Sequence, residues 1–214
     1  MTHTITQPIP ADSATVRTQL DALCARYRFL ELQAVGHSLL GRDIYGVMLG
    51  GGHHRVLYAA AFHGQEWITT LVLLRLCEDI CDALCRDGRL DDMDFRRAMA
   101  GRCLVFIPQV NPDGVDIALG GSRTAGEYAA LVAEKGGDTP GLWQANARGV
   151  DINHNFNAGW AEMQALAQKN GKNAPQRKRL SRTDATPRRV RRANRRRTRN
   201  APTRRRPKPT IAFN

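Results

Sequence analysis

Two apolar runs, each followed by a polar motif, set the fold that this chain can adopt. Residues 56–62 and 104–110 are dominated by aliphatic and aromatic side chains, without the regular polar alternation of a half-exposed strand. Such runs are typical of strands buried on both faces. Between them, residues 67–86 place apolar side chains at helical spacing, and Gly88 follows the end. Strand, helix and strand in this order predict a βαβ crossover and an α/β sheet with parallel pairing.

The remaining elements before residue 169 are shorter. Residues 15–27 have the periodicity of a first helix, with Asp12 or Ser13 as its cap. Residues 36–40 and 44–49 are predicted strands separated by glycine-containing turns, and a short helix is expected near residues 127–134.

The polar motifs stand where the two apolar runs end. His63 and Glu66 follow the first run, and the Asn-Pro-Asp-Gly segment at 111–114 follows the second. Because ligands gather at the carboxyl ends of strands in such sheets, His63 and Asn111 are expected to face one crevice. His63 and Glu66 can aim an imidazole nitrogen and a carboxylate at one point about 2 Å from each, as zinc requires. Alone, this His-x-x-Glu pattern is weak, because many chains contain it by chance as a surface ion contact.

A third segment gives the first two their context. Residues 146–156 read Asn-Ala-Arg-Gly-Val-Asp-Ile-Asn-His-Asn-Phe. The three segments in this order, over residues 35–160, resemble the zinc carboxypeptidase family. The resemblance implies an α/β domain with a mixed, partly parallel sheet flanked by helices. It also implies Zn²⁺ as cofactor, held by two histidines and one glutamate, with water at the fourth position.

The same resemblance implies a role for each matching residue. His63 and Glu66 become the first two metal ligands. Arg148 becomes the catalytic cation that polarises the scissile carbonyl and stabilises the developing oxyanion. The alternative for Arg148 is a surface residue in a loop. Asn153 becomes a substrate-binding residue for the terminal carboxylate of a peptide.

Position 154 departs from the common family pattern. Most members carry an arginine there, which clamps the C-terminal carboxylate of the substrate. This chain has His154, followed by Ala158, Gly159 and Trp160. That combination is similar to the bacterial branch that cleaves γ-D-glutamyl bonds to diaminopimelate in cell-wall peptides. The resemblance therefore implies that His154 binds substrate, and that the substrate is a muropeptide-like, diaminopimelate-containing peptide.

Two functional parts of the family pattern have no counterpart in the sequence. The family takes its third zinc ligand, a histidine, and its general base, a glutamate, from later segments. Here no histidine follows His154, and Glu162 is the only later glutamate. His53 and His54 are local substitutes, but they precede the strand that delivers His63. Loss of a general base commonly costs about 10²–10⁴ in rate, so we expect poor zinc retention and an impaired enzyme.

The C-terminal part differs in composition from the rest. About half of the 32 Lys and Arg residues fall between residues 177 and 208, where Asp184 is the only acid. The sequence therefore predicts two parts, 1–168 as the N-terminal portion of a catalytic domain and 169–214 as a disordered Arg/Pro-rich tail.

Three interpretations of the tail stay open. In the first, the chain is a catalytically inactive fragment whose basic arm binds nucleic acid non-specifically by neutralising phosphates. A reading-frame error would also give such composition. Read one nucleotide earlier, the codons for residues 192–197 can encode Ser-Glu-Pro-Glu-Thr, which is similar to an element of the family. The third interpretation is a genuine truncated regulator.

Neither a membrane location nor a disulfide framework is indicated. The N-terminus has no basic region followed by an apolar one, and the longest apolar runs are too short to cross a bilayer. A cytoplasmic protein without a membrane partner is the expectation. The five cysteines are odd in number and lack paired spacing. Cys77, Cys81 and Cys85 share one helical face, either as small buried residues or as a soft metal site.

Overall fold

The computed structural model describes residues 9–139, 141–156 and 159–170. The elements in chain order are α1 (Ser13–Arg26), β1 (Leu30–His37), β2 (Asp43–Leu49), β3 (His54–Ala59), α2 (Ile68–Cys85), β4 (Arg89–Leu90), β5 (Met93–Asp94), α3 (Phe95–Met99), β6 (Arg102–Ile107), α4 (Pro112–Gly120), α5 (Ala129–Glu134) and α6 (Trp160–Lys169). Short 3₁₀ turns span Gly64–Glu66, Ser122–Thr124, Gly126–Tyr128 and Asn153–Asn155.

The main sheet is mixed, as predicted. Its strand order is β1-β2-β6-β3, and β4 and β5 form a separate two-stranded ribbon. The pairs β1/β2 and β2/β6 are antiparallel, whereas β3 and β6 are parallel, with Val56 opposite Leu104. The predicted βαβ crossover through α2 is therefore confirmed.

One hydrophobic core joins the first two helices to the sheet. Leu20 of α1, Leu74 and Ile80 of α2, and Phe106 of β6 are at most 2% exposed and belong to one cluster. Helix α1 starts at the predicted cap, because Asp12 accepts a hydrogen bond from the Thr15 amide at 2.8 Å.

Strand β3 is less buried than predicted. Leu57 is 61% exposed and Tyr58 38% exposed, so the expectation of burial on both faces is wrong for this strand. The physical reason is its position, since β3 lies at the end of the strand order and pairs only with β6 among the described residues. Such an edge offers unpaired backbone groups and apolar surface for association.

Two further elements differ from expectation. Strand β1 covers Leu30–His37 instead of residues 36–40. Segment 111–114, which was predicted to end a strand and to face the same crevice as His63, also begins helix α4. Asn111 accepts from the Gly114 amide, and Pro112 occupies the first turn, where its missing N–H costs nothing.

The remaining predictions concern the cysteines, membrane-spanning helices and the tail. All five cysteines are free. Cys77 and Cys81 are buried in α2, in agreement with the packing interpretation, whereas Cys85 is exposed, so that interpretation is wrong for Cys85. No helix in the described ranges is long and apolar enough to cross a membrane. Helix α6 ends next to the predicted boundary at 168. The predicted tail beyond residue 170 lies outside the described residues, so the division into two parts stays a prediction.

Candidate functional site

The turn between β3 and α2 brings the two predicted metal ligands together. His63 precedes the 3₁₀ turn Gly64–Glu66, and its Nδ1 lies 3.1 Å from Glu66 Oε1. Two ligands of one tetrahedral zinc, with bonds of about 2.0–2.1 Å, lie roughly 3.4 Å apart. The pair therefore fits two positions of a zinc site.

Asn111 holds this turn in place. Its side-chain amide donates to the carbonyl oxygens of Phe62 at 3.0 Å and Ala145 at 3.2 Å. The amide of Gly64 donates to the carbonyl oxygen of Gln144 at 3.0 Å. His63 and Asn111 thus lie close together, as expected, but Asn111 does not face a crevice, because it is 3% exposed and bonds to the backbone around the ligands.

Asp113 faces away from the metal ligands, into a buried ion pair. It is 1% exposed, and its Oδ1 accepts from Arg42 Nη1 at 2.6 Å and from Ser38 Oγ at 2.7 Å. Its Oδ2 accepts from the Leu40 amide at 3.1 Å. Asp113 therefore fastens the β1–β2 connection to α4, and the 111–114 segment is structural.

Residues 146–156, called the site turn below, carry the third motif. Asn146 Oδ1 accepts from the amides of Arg148 and Val150, and Gly149 has a φ of +74° that favours glycine. Asp151 Oδ1 accepts from the amides of Asn153 and His154. These bonds present the Asp151 side chain to His63.

Asp151 links the two histidines. Its Oδ1 lies 3.4 Å from His63 Nε2, and its Oδ2 lies 2.8 Å from His154 Nδ1. The two imidazole rings are stacked, with centroids 6.3 Å apart and planes at 18°. His63, Asp151 and His154 each offer one ligand atom, and these three atoms lie within 4.8 Å of one another.

The charges in the site oppose the effect of burial. Burial lowers the pKa of His63, but the hydrogen bond and charge of Glu66 and the nearby Asp151 carboxylate raise that pKa above its ordinary value. Burial raises the pKa of Asp151, whereas His154, through side chain and backbone, and His63 leave that pKa below its usual range. The site thus favours a cation beside the carboxylates of Glu66 and Asp151.

The structure places the predicted site residues in two groups. His63 and Glu66 form one, and His154 joins them through Asp151. Arg148 and Asn153 lie in the site turn on either side of Asp151, Arg148 partly buried and Asn153 exposed. Their assigned roles stay predictions.

Asp151 was missed as a site residue, although it stands inside the quoted motif. The available signal was a carboxylate next to a histidine-containing segment, since a histidine that binds metal usually donates its other ring N–H to a carboxylate.

An open groove of about 300 Å³ reaches Glu66 from the solvent. It runs between the end of β3 and the first turns of α2, and its walls are mostly apolar. The residues that line it are Tyr58, Ala59, Ala60, Ala61, Phe62, Glu66, Thr69, Val72, Leu73 and Leu76.

Comparison with known sequences identifies relatives over most of the chain. The sequence model of a family described as zinc carboxypeptidase matches residues 16–198. The uncharacterized protein YqgT of Bacillus subtilis is 33% identical over 153 residues, covering 70% of this chain and 41% of YqgT. Gamma-D-glutamyl-L-diamino acid endopeptidase 1 of Lysinibacillus sphaericus is 29% identical, covering 70% of this chain and 38% of that enzyme. The chain thus spans about two fifths of the length of these relatives.

Solved structures show the same fold at low identity. Thrombin activatable fibrinolysis inhibitor superposes with a TM-score of 0.54 and 14% identity, covering 73% of this chain and 37% of that one. The bovine protein, in complex with tick carboxypeptidase inhibitor, gives a TM-score of 0.50 at 16% identity, with 71% and 44% coverage. At such identities the likeness concerns the fold alone.

Proposed function

This chain belongs to the zinc carboxypeptidase family, a family of peptide hydrolases, and we propose that it binds Zn²⁺ through His63 and Glu66 for hydrolysis of peptide bonds. The observation that carries the proposal is the 3.1 Å approach of His63 Nδ1 to Glu66 Oε1 at the carboxyl end of a parallel strand. Bound at this point, zinc would polarise a carbonyl and lower the pKa of a water molecule.

The protein's own groups prepare His63 for this role. When Nε2 carries the proton, it points at Asp151 Oδ1, and the lone pair of Nδ1 is directed to the Glu66 side. A carboxylate in that position fixes the ring orientation and makes the ligating nitrogen more basic. Asn111 supports the same geometry by holding the backbone on both sides of the turn.

Three residues of the site turn would handle the substrate. Arg148 would supply a permanent positive charge to the carbonyl oxygen, whose negative charge grows during attack by water. Asn153 would donate from its amide to the substrate's carboxylate. His154, held at Nδ1 by Asp151, would present Nε2 to the substrate where most members present an arginine.

We propose a cell-wall peptide with a γ-D-glutamyl bond to a diamino acid as the substrate. The support is the relative from Lysinibacillus sphaericus, whose printed name describes such an endopeptidase, together with the histidine at position 154. A single imidazole recognises a carboxylate with less charge and fewer donors than the fork of an arginine. A substrate of different stereochemistry would explain why histidine replaces arginine at position 154.

The activity of the 214-residue polypeptide itself is proposed to be low. Its sequence offers no histidine after His154 for the third family ligand and only Glu162 as a later glutamate. A two-ligand site holds zinc weakly, and a missing general base costs about 10²–10⁴ in rate.

Metal content and peptide hydrolysis test the proposal together. The tag-free chain would be equilibrated with Zn²⁺ and assayed on γ-D-glutamyl-diaminopimelate and on a peptide with a free C-terminal arginine. We expect the wild-type chain to cleave the first peptide slowly. The Glu66→Gln variant should not cleave it. Equal rates for wild type and Glu66→Gln would contradict the assignment of Glu66. Cleavage at a fast, family-like rate would contradict the impairment.

The alternative function rests on charge alone. The sequence has a formal net charge of +12, concentrated in its basic C-terminal segment. Non-specific nucleic-acid binding of this origin falls steeply with salt. Retention on immobilised DNA that is lost at high salt and on deletion of residues 177–214 is the expected result. Retention by the deleted chain would refute this alternative.

A further inference from the structure

We propose that this chain forms a two-fold dimer through the free edge of β3, and that His54 of each chain completes the metal site of the other. The inference rests on the proposed function, because it takes His63 and Glu66 as the first two zinc ligands. It names a source for the third ligand, for which the sequence has no histidine after His154.

The first observation is the free edge of β3. The amides of His54 and Ala60 donate towards the β6 side, to backbone carbonyl oxygens at 3.1 and 3.0 Å. Backbone groups of successive strand residues point to alternate sides, so every second residue between these two faces away from β6. These outward residues are Arg55, Leu57 and Ala59. No described strand pairs with β3 on that side, so their donors and acceptors are available to a further strand.

The other edge of the sheet, β1, is less suited to pairing. Its register shifts between Ala34 and Gly36, and a bulge of this kind turns an edge away from a flat partner. Strand β3 pairs with β6 without a shift, and Leu57, at the centre of its free edge, is 61% exposed. Association of two copies should therefore use β3.

One antiparallel register uses all three outward residues. It places Leu57 opposite the partner's Leu57, and Arg55 opposite the partner's Ala59, about a two-fold axis. Because Arg55 does not meet its own copy, the pairing sets no like charges opposite each other. A contact in which both chains use the same surface closes after two copies.

The same register carries the partner's His54 to the metal site. There it lies opposite Ala60, and the Cα atoms of such a non-hydrogen-bonded pair are about 4.5 Å apart. Ala60 lines the groove that reaches Glu66. His54 is exposed, and by strand alternation it shares the sheet face of Tyr58, which lines the same groove. The partner's imidazole would therefore lie over the groove.

The end of β3 is tied to the metal-binding turn. The amide of Ala61 donates to Thr69 Oγ1 at 3.0 Å, and that hydroxyl donates to the Glu66 carbonyl oxygen at 2.7 Å. The Glu66 side chain is 48% exposed, so a ligand from another chain can approach the metal beside it. Its negative charge also complements an incoming imidazole.

A histidine is the donor that the site needs. Two imidazoles and one carboxylate hold zinc with a fourth position open. The partner's His54 would supply this third ligand but no general base, so the low activity proposed above is unchanged. Zinc binding and dimer formation would strengthen each other, because the metal joins both chains.

Single variants of the full-length, tag-free chain test the two parts of the proposal. Sedimentation velocity should show a dimer that Zn²⁺ strengthens, and Leu57→Lys, which sets two like charges opposite each other, should be monomeric. Competition with a chromophoric chelator should show Zn²⁺ affinity at least about tenfold lower in Leu57→Lys and in His54→Gln, since even groups that only support a ligand cost this much.

The matched control is His37→Gln. His37 is also an exposed histidine of an edge strand, with Nδ1 2.9 Å from Asp43 Oδ1, but it lies in β1, at the opposite edge of the sheet. Its loss should leave Zn²⁺ affinity and the dimer unchanged. Circular dichroism of the metal-free variants checks that they are equally folded.

Mixing two variants tests whether the ligands come from different chains. In a mixed dimer of His54→Gln and Glu66→Gln, one site regains His63 and Glu66 from the first chain and His54 from the second. Each variant alone should lack tight Zn²⁺ binding. An equal mixture should recover it for about a quarter of the chains, because about half of the dimers are mixed and each has one intact site.

The contrary outcomes are distinct. A chain that stays monomeric, wild-type Zn²⁺ affinity in His54→Gln, or no recovery in the mixture would each overturn the dimeric site. If Glu66→Gln still weakens Zn²⁺ binding in that case, the function proposed above survives without it. If Glu66→Gln also keeps wild-type affinity, the proposed function fails as well.

Discussion

Segment 111–114 and the site turn look alike in sequence but differ in burial. Each is a run of polar and small residues after a strand or loop, and each belongs to the family pattern. In the first, Asn111 and Asp113 are at most 3% exposed, and their side chains bond to backbone and to Arg42. In the second, Asn153 and His154 are exposed.

The difference shows how to separate an anchoring motif from a chemical one. In the anchoring motif, polar side chains form hydrogen bonds with groups inside the protein. Their loss therefore leaves buried groups unsatisfied. In the site turn, the exposed side chains of Asn153 and His154 are those that we propose to bind substrate. Substitutions in segment 111–114 should therefore lower the stability of the fold, whereas substitutions of exposed side chains in the site turn should leave stability unchanged.

The largest expected effect on stability is that of Asp113→Ala. The change leaves Arg42, whose side chain is 25% exposed, without one of its carboxylates, and breaking a buried pair costs about 3–5 kcal/mol. Chemical denaturation should show this loss. The control Asp21→Ala removes an exposed pair with Arg17, which water screens, and should cost much less. Equal losses in both variants would show that burial does not distinguish the anchor.

The next effect is expected for Asn111→Ala. It removes the cap of α4 and the donor to two carbonyl oxygens, so we expect a loss of about 2–4 kcal/mol, together with weaker zinc binding. Asp94→Ala removes only an exposed cap of α3 and should cost about 0.5–1 kcal/mol. An Asn111 variant with unchanged stability would refute the anchoring role.

Gly64→Ala should lower stability by a smaller amount, because the added Cβ overlaps with neighbouring atoms. A Cβ on Gly64 would lie 2.0 Å from the Gly114 carbonyl oxygen and 2.7 Å from that of Trp143. Because both neighbours are backbone, we expect a loss of about 1–3 kcal/mol. Gly36→Ala, where a Cβ meets nothing within 4 Å, is the control and should be near neutral. Thermal unfolding of the two variants compares them directly, and an equally stable Gly64 variant would refute the tight fit.

The sequence was sufficient where a pattern depends on neighbours in the chain. Periodicity and spacing predicted α1, α2 and the parallel pairing of β3 with β6. The pairing of His63 with Glu66 follows from their three-residue spacing in a turn. The helices and the His63–Glu66 pair depend on local geometry, which a single sequence carries, and the parallel pairing follows from the general rule for a strand–helix–strand crossover.

Features that depend on distant partners could not be read in this way. The exposure of β3 is set by its place in the strand order, and an apolar run looks the same at an edge and in the centre of a sheet. The approach of Asp151 to His63 joins residues 88 positions apart. The internal bonding of Asp113 depends on Arg42, which no motif contains.

The smallest effect on stability should be that of Asn153→Ala, which tests the site turn instead of segment 111–114. Asn153 is exposed, and the bond that orders its position is donated by its backbone amide to Asp151, which alanine preserves. Surface changes of this kind usually stay within about 0.5 kcal/mol. The unfolding midpoint should therefore match that of the wild type, whereas binding of a peptide with a free carboxylate should weaken. A loss of stability near that of Asn111→Ala would mean that the site turn is an anchor as well. An unchanged midpoint with unchanged peptide binding would remove Asn153 from the substrate site and leave His154 as the residue of the turn to test for carboxylate recognition.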